Sequence, residues 1–170
     1  MAKAEATTIV TERLILRRRM ESDIPAMVKM FNTDSVREYL FGTPPRDEHS
    51  MLAMVRHRVP TTWYIILKDT DEYIGECGFW SVVNDYYSEI FYIFAESAWG
   101  NGYAYEAMTA AIEYGTRSLN IKLLSAKIHN ENERSKRLAK RFGLTLDCVI
   151  PEFEIDGTIA DVARYRKVLP

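Results

Sequence analysis

The sequence predicts a single α+β domain with an antiparallel sheet at its centre. The chain has 170 residues, a length that suits one domain rather than two. Three consecutive stretches are rich in β-branched and aromatic residues, and only short polar segments separate them, which indicates an antiparallel meander. Helical patterns lie before and after the meander, and no internal repeat or linker divides the chain. Together these observations favour helices packed on one mixed sheet.

The N-terminal third predicts one strand followed by two or three short helices. Residues 13–17 place leucine and isoleucine between charged ends, as in a short strand. From Ile24, apolar residues recur at i, i+3, i+4 and i+7, which is one apolar face of a helix. Further helices are predicted over residues 34–40 and from Asp47 to about Arg58.

The meander predicts three strands, over residues 63–67, 73–83 and 88–94, with a turn at Asn84-Asp85 between the last two. Beyond it the chain alternates between helix and strand and closes with a hairpin, for which Asp156-Gly157 is a strong signal because this pair tolerates positive φ. The predicted elements of this second half are a helix over 104–118, a strand over 123–128, a helix over 133–142 and extended stretches over 145–155 and 158–169.

Charge and composition argue against several classes of protein. The formal net charge is −2 and the isoelectric point is about 6.0, so the chain has no electrostatic footprint for nucleic acid or for an anionic membrane. Two cysteines and three scattered histidines lack the spacing of a metal site, and His129 is interpreted as a surface residue. The first residues lack the apolar core of a signal peptide, and no apolar run approaches about 20 residues, which predicts a cytoplasmic protein.

The segment that carries most information covers residues 98–107, between a predicted strand and a predicted helix. Gly100 and Gly102 allow a tight turn and a close approach of backbone N–H groups to a ligand. The helix start adds free amides and the positive end of its dipole, so the segment predicts a phosphate or pyrophosphate site. A dinucleotide fingerprint would need Gly or Ala where Tyr105 stands, and a P-loop would need Gly-Lys-Ser/Thr. A glycine-rich turn that merely enters a helix remains the alternative for this segment alone.

The same segment resembles the acetyl-CoA motif of the GNAT superfamily of N-acetyltransferases. Within that superfamily it is most similar to the branch of RimJ/RimL-type ribosomal-protein acetyltransferases, whose sequence motif is Trp-Gly-x-Gly-Tyr-Ala-x-Glu-Ala. Trp99 stands where the general motif has Arg or Gln. This chain matches every specified position of that motif, with Trp99, Gly100, Gly102, Tyr103, Ala104, Glu106 and Ala107.

The resemblance extends over nearly the whole chain. Residues 11–17 resemble the opening strand of that branch, residues 132–144 its Asn-x-x-Ser helix, and residues 156–165 its closing hairpin. It implies a mixed, mostly antiparallel seven-stranded sheet flanked by helices, in which the fourth and fifth strands splay apart. Those strands are residues 88–94 and 123–128 here. Because members of the branch are often dimers, the resemblance also implies a possible homodimer.

The resemblance implies acetyl-CoA as the co-substrate and no metal. The pantetheine arm would lie between the splayed strands, bonded by backbone groups near Ile93, Phe94 and Ala95 in the manner of an added strand. The pyrophosphate would lie over the segment at the helix start. A lysine of the basic cluster on the last helix is expected to contact the 3′-phosphate of coenzyme A, with a solvated helix face as the alternative. The residues that would hold these groups are Trp99, Gly100, Asn101, Gly102, Tyr103 and Ala104 for the pyrophosphate, Asn132 and Ser135 for the arm and thioester, and Lys136 or Lys140 for the 3′-phosphate.

Glu89 and Ser135 are the candidate catalytic residues. Glu89 begins the strand that holds the arm, where related enzymes often place an acid, and is interpreted as the general base; a solvated glutamate is the alternative. Glu76, between apolar neighbours, is the second candidate base, with an exposed sheet position as its alternative. Many GNAT enzymes protonate the leaving thiolate with a tyrosine, but that position is Ala139 here. Ser135 is expected to take that role, unless its hydroxyl only satisfies backbone groups.

The acceptor is expected to be a primary amine. An α-amine has a pKa of about 8 and a lysine amine about 10.4, so the α-amine of a peptide or protein N-terminus makes the smaller demand on the base. Small-molecule amines, such as a polyamine, an antibiotic or an amino acid, form the main alternative, because fold does not determine substrate. A non-catalytic acyl-CoA-binding sensor is a further alternative. Neither nucleic acid nor membrane is expected as a partner.

Overall fold

The computed structural model describes residues 7–57, 61–83 and 86–170. Within them a single sheet has the strand order β1-β2-β3-β4-β5-β6-β8-β7. Its strands are β1 (Ile9–Val10), β2 (Leu14–Arg17), β3 (Thr62–Leu67), β4 (Tyr73–Val83), β5 (Tyr87–Phe94), β6 (Leu123–His129), β7 (Thr145–Phe153) and β8 (Ile159–Val168). The helices are α1 (Ile24–Phe31), α2 (Asp34–Arg37), α3 (Glu48–Arg56), α4 (Tyr103–Ser118) and α5 (Glu133–Arg141).

The predicted fold class is confirmed, with one strand more than the seven expected. The additional strand β1 pairs antiparallel with β2 through Ile9↔Leu16 and Val10↔Ile15. Two residues are too few to show a period of two in the sequence, which explains why the strand was missed. The predicted turn Asn84-Asp85 and the predicted helix end at Arg58 lie outside the described residues.

Helix α2 is shorter than predicted, because it ends at Arg37 instead of reaching Leu40. The chain turns shortly afterwards, where Phe41 and Gly42 both have positive φ. The carbonyl oxygen of Phe41 accepts a hydrogen bond of 3.0 Å from the N–H of Ile155. This turn therefore fastens the segment after α2 to the β7–β8 hairpin, a contact between residues too far apart in the chain for a local pattern to show.

The splayed strands are confirmed. Strands β5 and β6 are parallel and pair only through Tyr87↔Leu123, Ser88↔Leu124 and Glu89↔Ser125. Beyond Glu89, β5 stays paired with β4 as far as Gly75↔Phe94, whereas β6 stays paired with β8 as far as His129↔Val162. Because each strand follows a different neighbour, a wedge opens between them.

The core lies on both faces of the sheet. Successive residues of β3 point to opposite faces, so Trp63 and Ile65 pack in the cluster with α4 and α5, while Tyr64 and Ile66 pack in the cluster with α1 to α3. All four of these side chains are essentially inaccessible to solvent. Along the part of the chain that the structure describes, no helix is long and apolar enough to cross a membrane.

Candidate active site

A cleft of about 840 Å³ opens where β5 and β6 part. Its walls are the end of β5, the segment that enters α4, helix α5 and the segment around α2. The predicted site residues that line it are Ile93, Phe94, Trp99, Gly100, Gly102, Tyr103, Ala104, Asn132 and Ser135. The structure does not bring Glu89, Ala95, Asn101, Lys136 or Lys140 into this lining.

The segment before α4 combines left-handed backbone with open space. Gly100 and Gly102 both have a φ of 79°, a conformation that side chains with a Cβ rarely adopt. A Cβ at Gly100 would meet nothing within 4 Å, and one at Gly102 only Nη2 of Arg13 at 3.6 Å. Gly102 is the N-cap of α4, and no side chain caps the helix there. The first amides of α4 therefore face a space that an anion can enter.

Glu106 and Arg13 fasten this segment to the start of the sheet. The Glu106 carboxylate accepts hydrogen bonds from the Thr11 hydroxyl at 2.6 Å, from the Arg13 backbone N–H at 2.9 Å and from Arg13 Nε at 2.8 Å. Arg13 Nη1 also donates to the carbonyl oxygen of Asn101 at 3.0 Å, and its guanidinium lies 4.5 Å from the ring centre of Tyr103. The opening motif and the glycine motif, which the sequence presents as two separate similarities, thus form one clamp.

Trp99 connects the end of β5 to the first turn of α5. Its indole Nε1 donates to the carbonyl oxygen of Phe94 at 2.9 Å, and the guanidinium of Arg134 lies 3.9 Å from its ring centre. The N–H of the neighbouring Ala95 already donates to Ile74 on β4 at 2.9 Å. Because backbone groups alternate in direction along a strand, those of Phe94 point towards the gap, away from β4.

Ser135 lies in the first turn of α5 and faces Tyr92 across the cleft. Its backbone N–H donates to Oδ1 of Asn132 at 3.0 Å, which caps the helix. Its Oγ lies 2.9 Å from the hydroxyl of Tyr92, a residue that sequence patterns did not single out. Burial raises the pKa of Tyr92 to about 12, against the hydrogen bond with Ser135, which lowers it. Ala139, which stands where the resemblance leads one to expect a tyrosine, is fully buried.

Arginines, not the predicted lysines, form the cationic face of α5 towards the cleft. Arg134, Arg137 and Arg141 line the cleft, at a spacing that places them on neighbouring turns of one helix face. Lys136 pairs instead with Glu133 at 2.6 Å, and Lys140 is exposed outside the lining. Counting three or four residues at a time from Asn132 selects Ser135, Lys136 and Lys140, so helical periodicity alone could not have identified the arginines.

The two candidate bases are both on the α1–α3 face of the sheet, away from the lining. Glu89 lies at the last residue pair of β5 and β6; its half-burial raises its pKa, while the charges of Lys127 and Arg164 oppose that rise. Glu76 is only 2% exposed, so the alternative of an exposed position is wrong. Burial raises the pKa of Glu76, and Arg19, 3.3 Å away, opposes the rise.

His129 and Glu154 form a polar pair that sequence reasoning missed. His129 Nε2 lies 3.1 Å from Oε1 of Glu154, and the His129 ring centre is 5.3 Å from that of Tyr39, which lines the cleft. The side chain of His129 is 16% exposed, so its interpretation as a surface residue is wrong. If Nε2 carries the proton towards the carboxylate, Nδ1 of the neutral ring is free to accept one. The described residues contain no group of three potential metal-ligating side chains.

Comparisons with known proteins identify a matching family and a close relative in sequence. The family described as acetyltransferase (GNAT) domain matches residues 13–145. An N-acetyltransferase of Bacillus licheniformis is 31% identical over 167 residues, covering 93% of this chain and 94% of the relative.

Solved structures share the fold at lower identity. RimL, a ribosomal-protein α-N-acetyltransferase, has a TM-score of 0.79 and 22% identity, and the match covers 95% of this chain and 93% of RimL. A spermidine N-acetyltransferase from Vibrio cholerae, solved with CoA and spermine, has a TM-score of 0.80 and 20% identity, and the match covers 93% and 96% of the two chains.

Proposed function

Because the chain belongs to the GNAT acetyltransferase family and its reaction is acetyl transfer, we propose that its acceptor is the α-amine of a peptide or protein N-terminus. The observation that supports this proposal is the cleft between β5 and β6, which contains the uncapped start of α4 and, next to its lining residue Tyr39, a polar pair of His129 and Glu154. We also propose that the protein acts in the cytoplasm and that it forms a homodimer, as the branch it resembles often does.

The acetyl donor is acetyl-CoA, as in other members of the family. Its pyrophosphate would lie over the amides that follow Gly100 and Gly102, where the backbone leaves open space. Its pantetheine arm would lie in the gap, where the backbone of Phe94 points. Among the cations of α5, Arg137 and Arg141 line the cleft and are the better partners for a phosphate of the donor than Lys136 or Lys140.

An α-amine requires little assistance to react. With a pKa of about 8, roughly a tenth of it is neutral at pH 7, so correct positioning and a weak base suffice. Glu89 is one candidate base, and Nδ1 of His129 is added to it by the structure. Both lie on one face of the sheet, because Glu89 pairs with Ser125 and His129 follows four residues after Ser125 on the same strand.

We predict that removing the base lowers kcat about 10²-fold or more, with unchanged affinity for acetyl-CoA. Glu89→Gln and His129→Gln are the two variants, measured in steady state over a range of pH. In the variant that lacks the base, kcat should also lose its decline towards low pH, because the group whose protonation causes that decline is gone. If both variants keep the wild-type pH–rate profile, neither side chain is the base, and Glu76 or a water relay takes that role.

A panel of amines tests the acceptor. Release of CoA thiol from acetyl-CoA would be measured with ribosomal N-terminal peptides, their N-terminally blocked forms, polyamines and amino acids. The highest kcat/KM is expected for free N-terminal peptides, and blocking the α-amine should abolish it. Binding of CoA without turnover on any amine would contradict the proposed acetyl transfer.

A polyamine is the second candidate acceptor, and one observation favours it. Glu38 and Glu131 line the cleft, and both raise the pKa of Tyr39, Glu38 by a hydrogen bond and Glu131 by its charge. Carboxylates grouped in this way attract a polycation, and the Vibrio cholerae structure of similar fold was solved with spermine. A kcat/KM for spermidine above that for every peptide would replace the N-terminal assignment with this one.

A further inference from the structure

We propose that the hydroxyls of Tyr92 and Ser135 form a two-membered hydrogen-bond relay that stabilises the thiolate leaving group of acetyl-CoA. This inference rests on the proposed function and deepens it by giving Tyr92 a role. Tyr92 lies on β5 and Ser135 in the first turn of α5, and both line the cleft. The two hydroxyls therefore reach the same point from two different walls.

The Tyr92 hydroxyl lies within hydrogen-bonding distance of two oxygens of Ser135. It is 2.9 Å from Oγ and 3.1 Å from the backbone carbonyl oxygen. A phenol has one proton to donate, so two arrangements exist. When Tyr92 donates to the carbonyl oxygen, Ser135 donates to Tyr92 and offers no proton to the cleft. When Tyr92 donates to Oγ, the serine proton is free to point at a ligand.

The surroundings hold both groups in place. The N–H of Ser135 is bonded to Asn132, and the ring of Tyr92 packs edge-on against Phe142, with ring centres 6.1 Å apart. Helix α5 itself supplies no phenol, because its position for one is the fully buried Ala139. Tyr92 therefore brings a phenol to the cleft from β5, next to the serine.

The negative charge that develops on sulfur during the reaction favours the second arrangement, in which Tyr92 donates to Oγ of Ser135. The amine nitrogen bonds to the carbonyl carbon, the C–S bond breaks, and its electron pair leaves on sulfur. Ser135 then donates to sulfur and Tyr92 donates to Ser135. Both protons stay on their oxygens, and the proton that the amine releases later protonates the sulfur, so atoms and charge balance. Hydrogen bonds to a charged acceptor are strong, and a chain of two strengthens each member.

The acidity of the groups agrees with donation rather than proton transfer. Burial raises the pKa of Tyr92 to about 12, whereas a thiol of the cysteine type has a pKa of about 8.5. The phenol thus stays neutral and remains a donor while the sulfur carries the negative charge.

The test measures the thiol pKa of enzyme-bound CoA from the ultraviolet absorbance of the thiolate, which requires no acceptor. The variants are Tyr92→Phe, Ser135→Ala and the double variant. Tyr87→Phe is the matched control, because Tyr87 and Ser125 form a second hydroxyl pair, 2.6 Å apart, on the two splayed strands but outside the cleft lining.

Tyr92→Phe and Ser135→Ala are each expected to raise the pKa of the bound thiol by about one unit, a tenfold loss of thiolate. The double variant should raise the pKa of the bound thiol no further than Ser135→Ala alone, because the two groups act as one unit. With an accepted amine, Tyr92→Phe should lower kcat about tenfold without changing the KM for acetyl-CoA, and Tyr87→Phe should match the wild type.

Two results would overturn the relay alone: normal CoA binding with a wild-type thiol pKa in Tyr92→Phe, or additive effects in the double variant. Failure of the wild type to bind CoA would instead overturn the proposed function, and the relay with it.

Discussion

Gly102 shows how one residue shapes the cleft at the start of α4. Its φ of 79° is costly for any residue with a Cβ, and a Cβ there would project into open space, with only Arg13 within 4 Å. The glycine therefore has two separate uses, a turn that starts α4 and an unobstructed approach to the amides. A substitution should affect both, by amounts that can be measured separately.

We predict that Gly102→Val weakens acetyl-CoA binding at least tenfold, because its side chain occupies the space in front of the amides. Gly157→Val is the matched control, since Gly157 has a φ of 86°, lies in the β7–β8 turn and offers open space, with nothing within 4 Å of the position that a Cβ would take. Both variants should lose about 1–3 kcal/mol of stability from backbone strain, but only Gly102→Val should lose affinity. Titration calorimetry measures the affinity, and denaturant unfolding measures the stability. If Gly102→Val and the wild type bind acetyl-CoA with equal affinity, the pyrophosphate does not lie over this segment.

At the scale of elements, the position of α4 depends on a contact with the turn between β1 and β2. Glu106 on α4 is 18% exposed and accepts hydrogen bonds from residues 11 and 13, whereas its partner Arg13 is 43% exposed. Partial burial alone would raise the pKa of Glu106, but the hydrogen bonds from Thr11 and Arg13 outweigh it and lower that pKa. The carboxylate is therefore stabilised in the folded state.

We predict that Glu106→Gln lowers the free energy of unfolding by about 1–2 kcal/mol at pH 7, a value reduced for the exposure of Arg13. A lowered carboxylate pKa contributes stability that is present above the ordinary value of about 4.3 and is lost as the pH falls through the lowered pKa. The difference between the wild type and Glu106→Gln should thus shrink below about pH 4. Urea unfolding at several pH values measures it, and a difference that is independent of pH would contradict the clamp.

At the scale of the whole molecule, the sheet consists of two parts that meet at a narrow junction. Strands β1 to β5 are continuous, and β6, β8 and β7 are continuous, but only three residue pairs join β5 to β6. A ligand that lies in the gap contacts both parts. Its binding therefore raises the free energy of unfolding of the whole protein.

We predict that acetyl-CoA at 100 times its Kd stabilises the protein by about 2.7 kcal/mol, which for a chain of this length corresponds to a rise in Tm of roughly 5–10 °C. Differential scanning fluorimetry over a range of acetyl-CoA concentrations measures the shift. Gly102→Val should require a higher concentration for the same shift. A Tm that does not depend on acetyl-CoA would contradict binding in the gap.

The family motifs and the order of elements were available in the sequence, because they depend on local conformation. Glycine at positive φ, apolar periodicity and turn chemistry each act over a few residues, and they were sufficient to predict the meander, the helix after Gly102 and the Asn132–Ser135 turn. The same local rules failed for β1, whose two residues depend on their pairing with β2.

Tertiary structure decided which side chains meet. Tyr92 and Ser135 are 43 residues apart, and His129 and Glu154 are 25 apart, so only the folded chain brings their polar atoms within 3.1 Å. It also turned Arg134, Arg137 and Arg141 towards the cleft and left Lys140 outside it. The sequence by itself determined the acetyltransferase fold and predicted where its donor binds. Long-range packing determined which side chains meet at the cleft, because contact between distant residues depends on how the sheet splays and no local pattern encodes it.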